Sequence, residues 1–171
     1  MKSRLIKISK LRILFIILSI ACMVTIFRFS MENADESSAT SGRIIKPLIN
    51  LFCPSFSDFS AEKQKKILGT VTFIVRKLAH FSIYTFLGMS MSLSEGTHKL
   101  FSKKSLVPLI IGIMYAVSDE IHQSFSPGRS CELRDVCIDS CGVMTGILIS
   151  MIIIRIYCSV KYKRKSEIAE K

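Results

Sequence analysis

Hydrophobic positions along this chain gather into four long runs separated by polar and charged stretches. Residues 11–29 carry no charge between Arg12 and Arg28. Residues 71–93 are apolar in character but interrupted by Arg76, Lys77 and His80, and residues 106–120 stay uncharged until Asp119 and Glu120. Residues 136–157 hold Asp139 near one end and Arg155 near the other. About 20 apolar residues cross roughly 30 Å of hydrocarbon as a helix. The pattern therefore predicts transmembrane helices at about 11–29, 71–93, 106–120 and 136–157, with the middle two weakened by their charges. The chain reads as an all-α polytopic membrane protein, a single domain over 1–171, with outer loops at about 30–70 and 121–135.

The first run exceeds the roughly 7–15 residues of a signal-peptide core, and no small-residue cleavage site follows it, so it reads as a retained anchor. Within the first outer loop, "IIKPLINLF" has the pattern of a short amphipathic helix at the interface, and "CPSFSDFS" reads as a turn. Ser60 is placed to cap a helix that carries Glu62 in its first turn and runs on into the second span.

Composition agrees with a membrane protein, since 49% of residues are hydrophobic. The net charge of +11 changes the picture through its distribution. Lys2, Arg4, Lys7, Lys10 and Arg12 open the first span, Lys99, Lys103 and Lys104 separate the second and third, and Lys161, Lys163, Arg164, Lys165 and Lys171 follow the fourth. Four spans put those three segments on one side, and the positive-inside bias makes that side, with both termini, cytoplasmic. The basicity is thus a topology signal and not a nucleic-acid patch, which no recognition motif accompanies. The six cysteines show no metal or disulfide spacing. Cys53 and Cys131 share the outer side and could pair in an oxidising compartment, but free thiols are the preferred reading.

The candidate chemistry lies at the outer ends of the second, third and fourth spans. Arg76 and His80 share a face at i and i+4, continued by Tyr84 and Gly88. Asp119 and Gln123 are one turn apart, with Glu120 beside them, and Asp135 and Asp139 lead on one face to Gly142 and Gly146, a small-residue stripe suited to close helix approach. Pro127 and Gly128 read as a turn that brings Arg129 back towards the helices. Ionisable groups at membrane depth face the bundle interior or a watery cavity and pair with one another. The inference is an outward-facing polar site. Asp119, Glu120 and His80 are its candidate catalytic groups, and Arg76, Gln123, Arg129, Asp135 and Asp139 its candidate ligand-binding groups. Arginine suits phosphate or carboxylate, histidine can move protons near neutral pH, and the acids could hold a divalent ion. No ligand spacing marks a metal site, however, and no cofactor is identified. The simpler alternative is that Arg76 or Arg129 neutralises Asp119 or Asp139 in pairs that fix helix register. His122 is expected to point away from the site, and His98 to lie in the cytoplasmic loop. No nucleophile elbow, H-E-x-x-H or P-loop is present, and no repeated half suggests a transporter.

These residues resemble the VanZ-like family of small bacterial membrane proteins. The likeness rests on D-E-x-x-Q-x-F-x-P-x-R, carried by Asp119, Glu120, Gln123, Phe125, Pro127 and Arg129, then D-x-x-x-[ND]-x-x-G, carried by Asp135, Asp139 and Gly142. Upstream, R-x-x-x-H-x-x-x-Y-x-x-L-G is carried by Arg76, His80, Tyr84, Leu87 and Gly88. The family's serine-rich stretch after the first span is similar to "FSMENADESSATSG", with Phe29, Ser30, Ser38 and Ser41 in place. The family usually shows Asn where this chain has Asp139, which adds a negative charge there. The resemblance implies a protein of the bacterial cytoplasmic membrane and, through the family's namesake, a part in teicoplanin resistance. It supplies no reaction. The polar site points to membrane lipids or cell-wall precursors as partners, and the resemblance adds the glycopeptide itself.

Overall fold

A computed structural model of the protein describes residues 2–32, 41–43, the odd-numbered positions from 45 to 51, 53–96 and 102–169. Ser38, His98, Lys99 and Lys171 lie outside them. The described chain is helical, with no strand. Helix α1 spans Lys2–Ser30, α2 Ala61–Glu95, α3 Lys103–Gln123 and α4 Leu133–Ala169, and a 3-10 helix, Pro54–Asp58, precedes α2. The turn expected there is this 3-10 helix, with Pro54 in its opening turn, where a missing N–H costs nothing.

Three stretches are long and apolar enough to cross a membrane, Lys10–Ser30, Lys104–Gln123 and Leu133–Tyr162. Their outward faces are broad and oily: Ile13, Ile17 and Ile20 on α1, Ile110 and Met114 on α3, and Ile152 and Ile156 on α4 are all exposed. Surface of that extent is directed at lipid. The α2 segment differs. At 35 residues it is long enough, roughly 52 Å at 1.5 Å per residue, but Arg76, Lys77, His80 and a run of serines keep it below the apolarity of the other three. The reason is its central place: α2 packs against α1, α3 and α4, most extensively α4. Its buried residues include Tyr84, Leu87, Gly88, Ser90 and Ser92. A face packed against other helices can carry polar groups that a lipid-facing one cannot, while Phe73, Ile74, Leu78 and Phe86 leave α2 an exposed apolar face of its own.

Cross-helix contacts set the directions. Arg12 in the first half of α1 meets Glu95 at the end of α2 at 3.3 Å, whereas Ser30 at the end of α1 meets Asp119 in the last turns of α3. So α1 and α3 run one way, and α2 and α4 the other. Inside the bundle Ser19 and Ser90 share a hydrogen bond of 2.9 Å, Ser150 donates to Ser92 at 2.6 Å, and Tyr115 donates to the Met23 carbonyl at 2.6 Å. These bonds tie helices where apolar burial drives no association. The α2–α4 seam is closer still. A Cβ on Gly88 would lie 2.2 Å from the Val143 carbonyl oxygen, and one on Gly146 would lie 1.9 Å from that of Thr85.

Ser60 does stand at the start of α2 with Glu62 in the first turn, although its side chain makes no capping bond. Gly96 ends α2 in the left-handed region at φ 64°. Between α1 and α2, residues 41–43 and the described positions from 45 to 51 are helical, with Ile45 and Ile49 buried and Pro47 and Leu51 exposed. All six cysteines are free, Cys53 and Cys131 included.

Candidate functional site

At the end of the bundle where α1 and α3 stop and α4 begins, polar side chains from all four helices meet. Asp119 is buried, accepting from the Ser30 hydroxyl on one oxygen and from Gln123 Nε2 at 3.0 Å on the other. The i, i+4 spacing of Asp119 and Gln123 on α3 supplies the second bond, and the α1 terminus supplies the first. Opposite, on α4, the Asp139 side chain is only 2% exposed and lies 3.5 Å from His80 Nδ1, without a hydrogen bond to either of its oxygens among the described residues. Tyr84, one turn beyond His80 on α2, is fully buried with its hydroxyl likewise unpartnered. His80, Asp119 and Asp139 each bring one potential ligand atom to within 4.8 Å of the others.

A second group of contacts secures the rim. Lys77 pairs with Asp135, and Arg134 pairs with Glu132 at 2.5 Å and stacks over Phe73. Glu120 is also buried, and its Oε1 accepts the Glu132 backbone N–H at 2.8 Å, pinning the loop between α3 and α4. Removing that acceptor leaves a half-buried N–H unpaired, at about 1–3 kcal/mol. Glu120→Ala should therefore raise the rate of limited proteolysis within residues 124–132 several-fold. Glu120→Gln, whose amide oxygen can accept the same bond, should stay close to wild type.

That loop turns at Pro127 and Gly128, with Gly128 at φ 76° and the Arg129 N–H on the Ser126 carbonyl at 3.2 Å. The turn carries Arg129 back over the bundle, as its sequence suggests. Nε and Nη1 of Arg129 are buried without a hydrogen-bond partner among the described residues. Burial lowers its guanidinium from the ordinary value and the neighbouring Arg76 adds to the effect, against the opposing pull of Glu32, Asp119 and Glu120. Neither arginine forms an ion pair with an acid among the described residues, so the register-fixing pairs considered above do not involve them here.

Both arginines instead line a cavity of about 470 Å³ between α1 and α2. Its walls are mainly apolar, from Ile26, Phe29, Val75, Ala79, Ile83 and Phe86, and Arg76, Arg129, His80, Glu32, Ser41 and Ser82 supply its polar side chains. A much smaller chamber of about 20 Å³ shares Arg76 and His80 with it and reaches Asp135, Asp139 and Gln123.

The sequence-derived residues therefore separate. His80, Asp119, Gln123 and Asp139 form one cluster, Arg76 and Arg129 face the cavity, Asp135 is bound by Lys77, and Glu120 is occupied by the loop. His122 points away, stacked on Phe27 at 4.7 Å between ring centroids. Ser30 as the partner of Asp119 was not legible, because a hydroxyl at a helix end carries no charge and its partner is 89 residues away. Its one signal is its place in the serine-rich stretch after the first span.

Among curated proteins and among solved structures nothing matches the chain. The family model described as VanZ/LLP1 matches residues 15–155, most of the chain and all the residues of this cluster. With helices suited to the bilayer and that match over the whole polar end, the chain belongs to the VanZ/LLP1 family of membrane proteins.

Proposed function

We propose that the protein acts at the outer face of the bacterial cytoplasmic membrane, where its polar site engages the anionic headgroup of a lipid-linked phosphate or wall precursor. In this reading α2 is a fourth span, and the basic N-terminal, α2–α3 and C-terminal segments are cytoplasmic. The observation that carries the proposal is the amphipathic cavity, whose apolar walls between α1 and α2 suit an acyl or prenyl chain and whose polar lining holds two arginines without acidic partners. Guanidinium groups suit phosphate in a bidentate fork. Leaving one partly buried and unpaired is costly unless an anion completes it. His80, which lines the cavity, would then stand beside the headgroup as an acid–base group with Asp119 close behind it, and a role in teicoplanin resistance would follow from altered handling of wall precursors.

Lipid retention tests this. Protein purified in detergent and exposed to equal amounts of phosphatidylglycerol and phosphatidylcholine should retain the anionic lipid, and Arg76→Gln with Arg129→Gln should lose the preference. Equal retention of both lipids by wild type would sink the proposal.

A second reading, a non-catalytic scaffold, is favoured by one set of contacts: Lys77–Asp135 and Glu120 on the Glu132 backbone are already satisfied internally. On that reading the arginine variants leave lipid retention unchanged.

A further inference from the structure

We propose that His80, Asp119 and Asp139 form a binding site for one divalent cation of the first transition row. Three helices deliver the three residues, His80 from α2, Asp119 from α3 and Asp139 from α4, with one ligand atom of each within 4.8 Å of the others. Proximity of acids alone would not suffice. The second observation is that Asp139, 2% exposed, is aimed into this cluster with both carboxylate oxygens free of hydrogen bonds among the described residues. An ionised carboxylate in that condition is costly in a bilayer protein unless a proton or a cation completes it, and a cation is the completion that the neighbouring His80 and Asp119 can share. His80 does so only partly, since at 3.5 Å it reaches one oxygen and makes no hydrogen bond. The buried Tyr84 hydroxyl, one turn beyond His80, also makes no hydrogen bond among the described residues.

The surroundings have the form of a ligand shell. Ser30 and Gln123 donate to Asp119, one on each oxygen, and so hold the carboxylate in orientation while leaving it lone pairs. Metal-bound carboxylates are held in this way by an outer layer of donors. Beside His80, Gln123 and Asp139 lies a chamber of about 20 Å³, room for a single water-sized occupant, whose lining also includes Arg76 and Lys77, the latter paired with Asp135, with Asp119 just outside it. One imidazole and two carboxylates suit manganese or zinc better than calcium or magnesium, which favour all-oxygen sets. Three protein ligands leave a position open. The cation would therefore lie next to Arg76, at the edge of the larger cavity, although the site itself does not depend on what that cavity holds.

The test uses Mn²⁺ alone, a hard ion that discriminates against the six free cysteines, on the full chain in detergent without added lipid. Loss of the free-ion electron paramagnetic resonance signal should titrate to one Mn²⁺ per chain, with nitrogen modulation of the bound signal from His80. Asp139→Asn and His80→Asn should each weaken binding at least about tenfold, and His80→Asn should also remove the nitrogen modulation. Ser30→Ala, a positioning change, should cost about tenfold to hundredfold. Size-exclusion profiles and helical circular dichroism verify folding, and if Asp139→Asn does not fold, the partly exposed His80→Asn decides. Wild type that binds no Mn²⁺, or a folded His80→Asn that binds it as wild type does, overturns the proposal. Either result would leave the lipid-retention experiment untouched.

Discussion

Alanine at Gly146 should break the α2–α4 seam, and the loss should be the largest of any single methyl added to this protein. The new Cβ would sit 1.9 Å from the Thr85 carbonyl oxygen and 2.6 Å from the Met89 backbone nitrogen. Both are backbone atoms of a helix, so no rotamer change relieves the clash and the helices must separate. Separation would spread to Gly88 against Val143 and Gly142 against Phe81, which form the same seam. It would also stretch the Ser150–Ser92 bond. Overpacking of a rigid contact costs about 3 kcal/mol or more at the severe end. Because His80 and Asp139 face each other across this seam, Mn²⁺ binding should fall with stability. The measurement is the temperature at which half the protein loses a monodisperse size-exclusion peak in detergent. Gly69→Ala is the matched control: no atom lies within 4 Å of its added Cβ, and replacing a mid-helix glycine should gain up to about 1 kcal/mol. Equal behaviour of the two variants would mean that the seam is not the tight contact described.

Methionine at Arg129 should have the opposite signature, higher stability with lost binding. The arginine is held over the bundle by the Pro127–Gly128 turn, with Nε and Nη1 buried and unpartnered among the described residues. An unflexed ion pair would make its removal harmful. An unpaired cation makes removal favourable, because the desolvation penalty of about 1–3 kcal/mol disappears while the apolar stem is replaced. Retention of phosphatidylglycerol over phosphatidylcholine should drop at least about tenfold, the scale of one lost charged hydrogen bond of roughly 1.5–3 kcal/mol. A protein that keeps a costly group for binding shows this trade between stability and function. Should Arg129→Met melt earlier than wild type and keep its lipid preference, the arginine is structural and the anion site is misplaced.

Much of this arrangement could be read from residue order alone. The bilayer admits few backbone forms, so long apolar runs at 11–29, 106–120 and 136–157 had to become helices. A helix places i and i+4 on one face, which is why Asp119 with Gln123, and Arg76 with His80, could be paired from spacing. The same periodicity exposed the glycine stripe of α4, and Pro-Gly at 127–128 announced the turn beneath Arg129. Such features are local, set within a few residues by covalent geometry and solvent.

Only the tertiary structure decided how each helix is rotated against its neighbours. That rotation gave Asp119 to Ser30 and not to an arginine, sent Lys77 to Asp135, turned Glu120 onto the Glu132 backbone, and left Asp139 bare before His80. It also opened a cavity between α1 and α2 that no single segment encodes, since Ile26 and Phe29 line one wall and Val75, Ile83 and Phe86 another. Rotation and pairing depend on summed packing across the whole bundle, where glycine contacts and buried serine bonds outweigh the preference of any one charge. Residue order therefore determined which groups gather at one end of the bundle, and packing determined which of them remain unpaired there and available to a ligand.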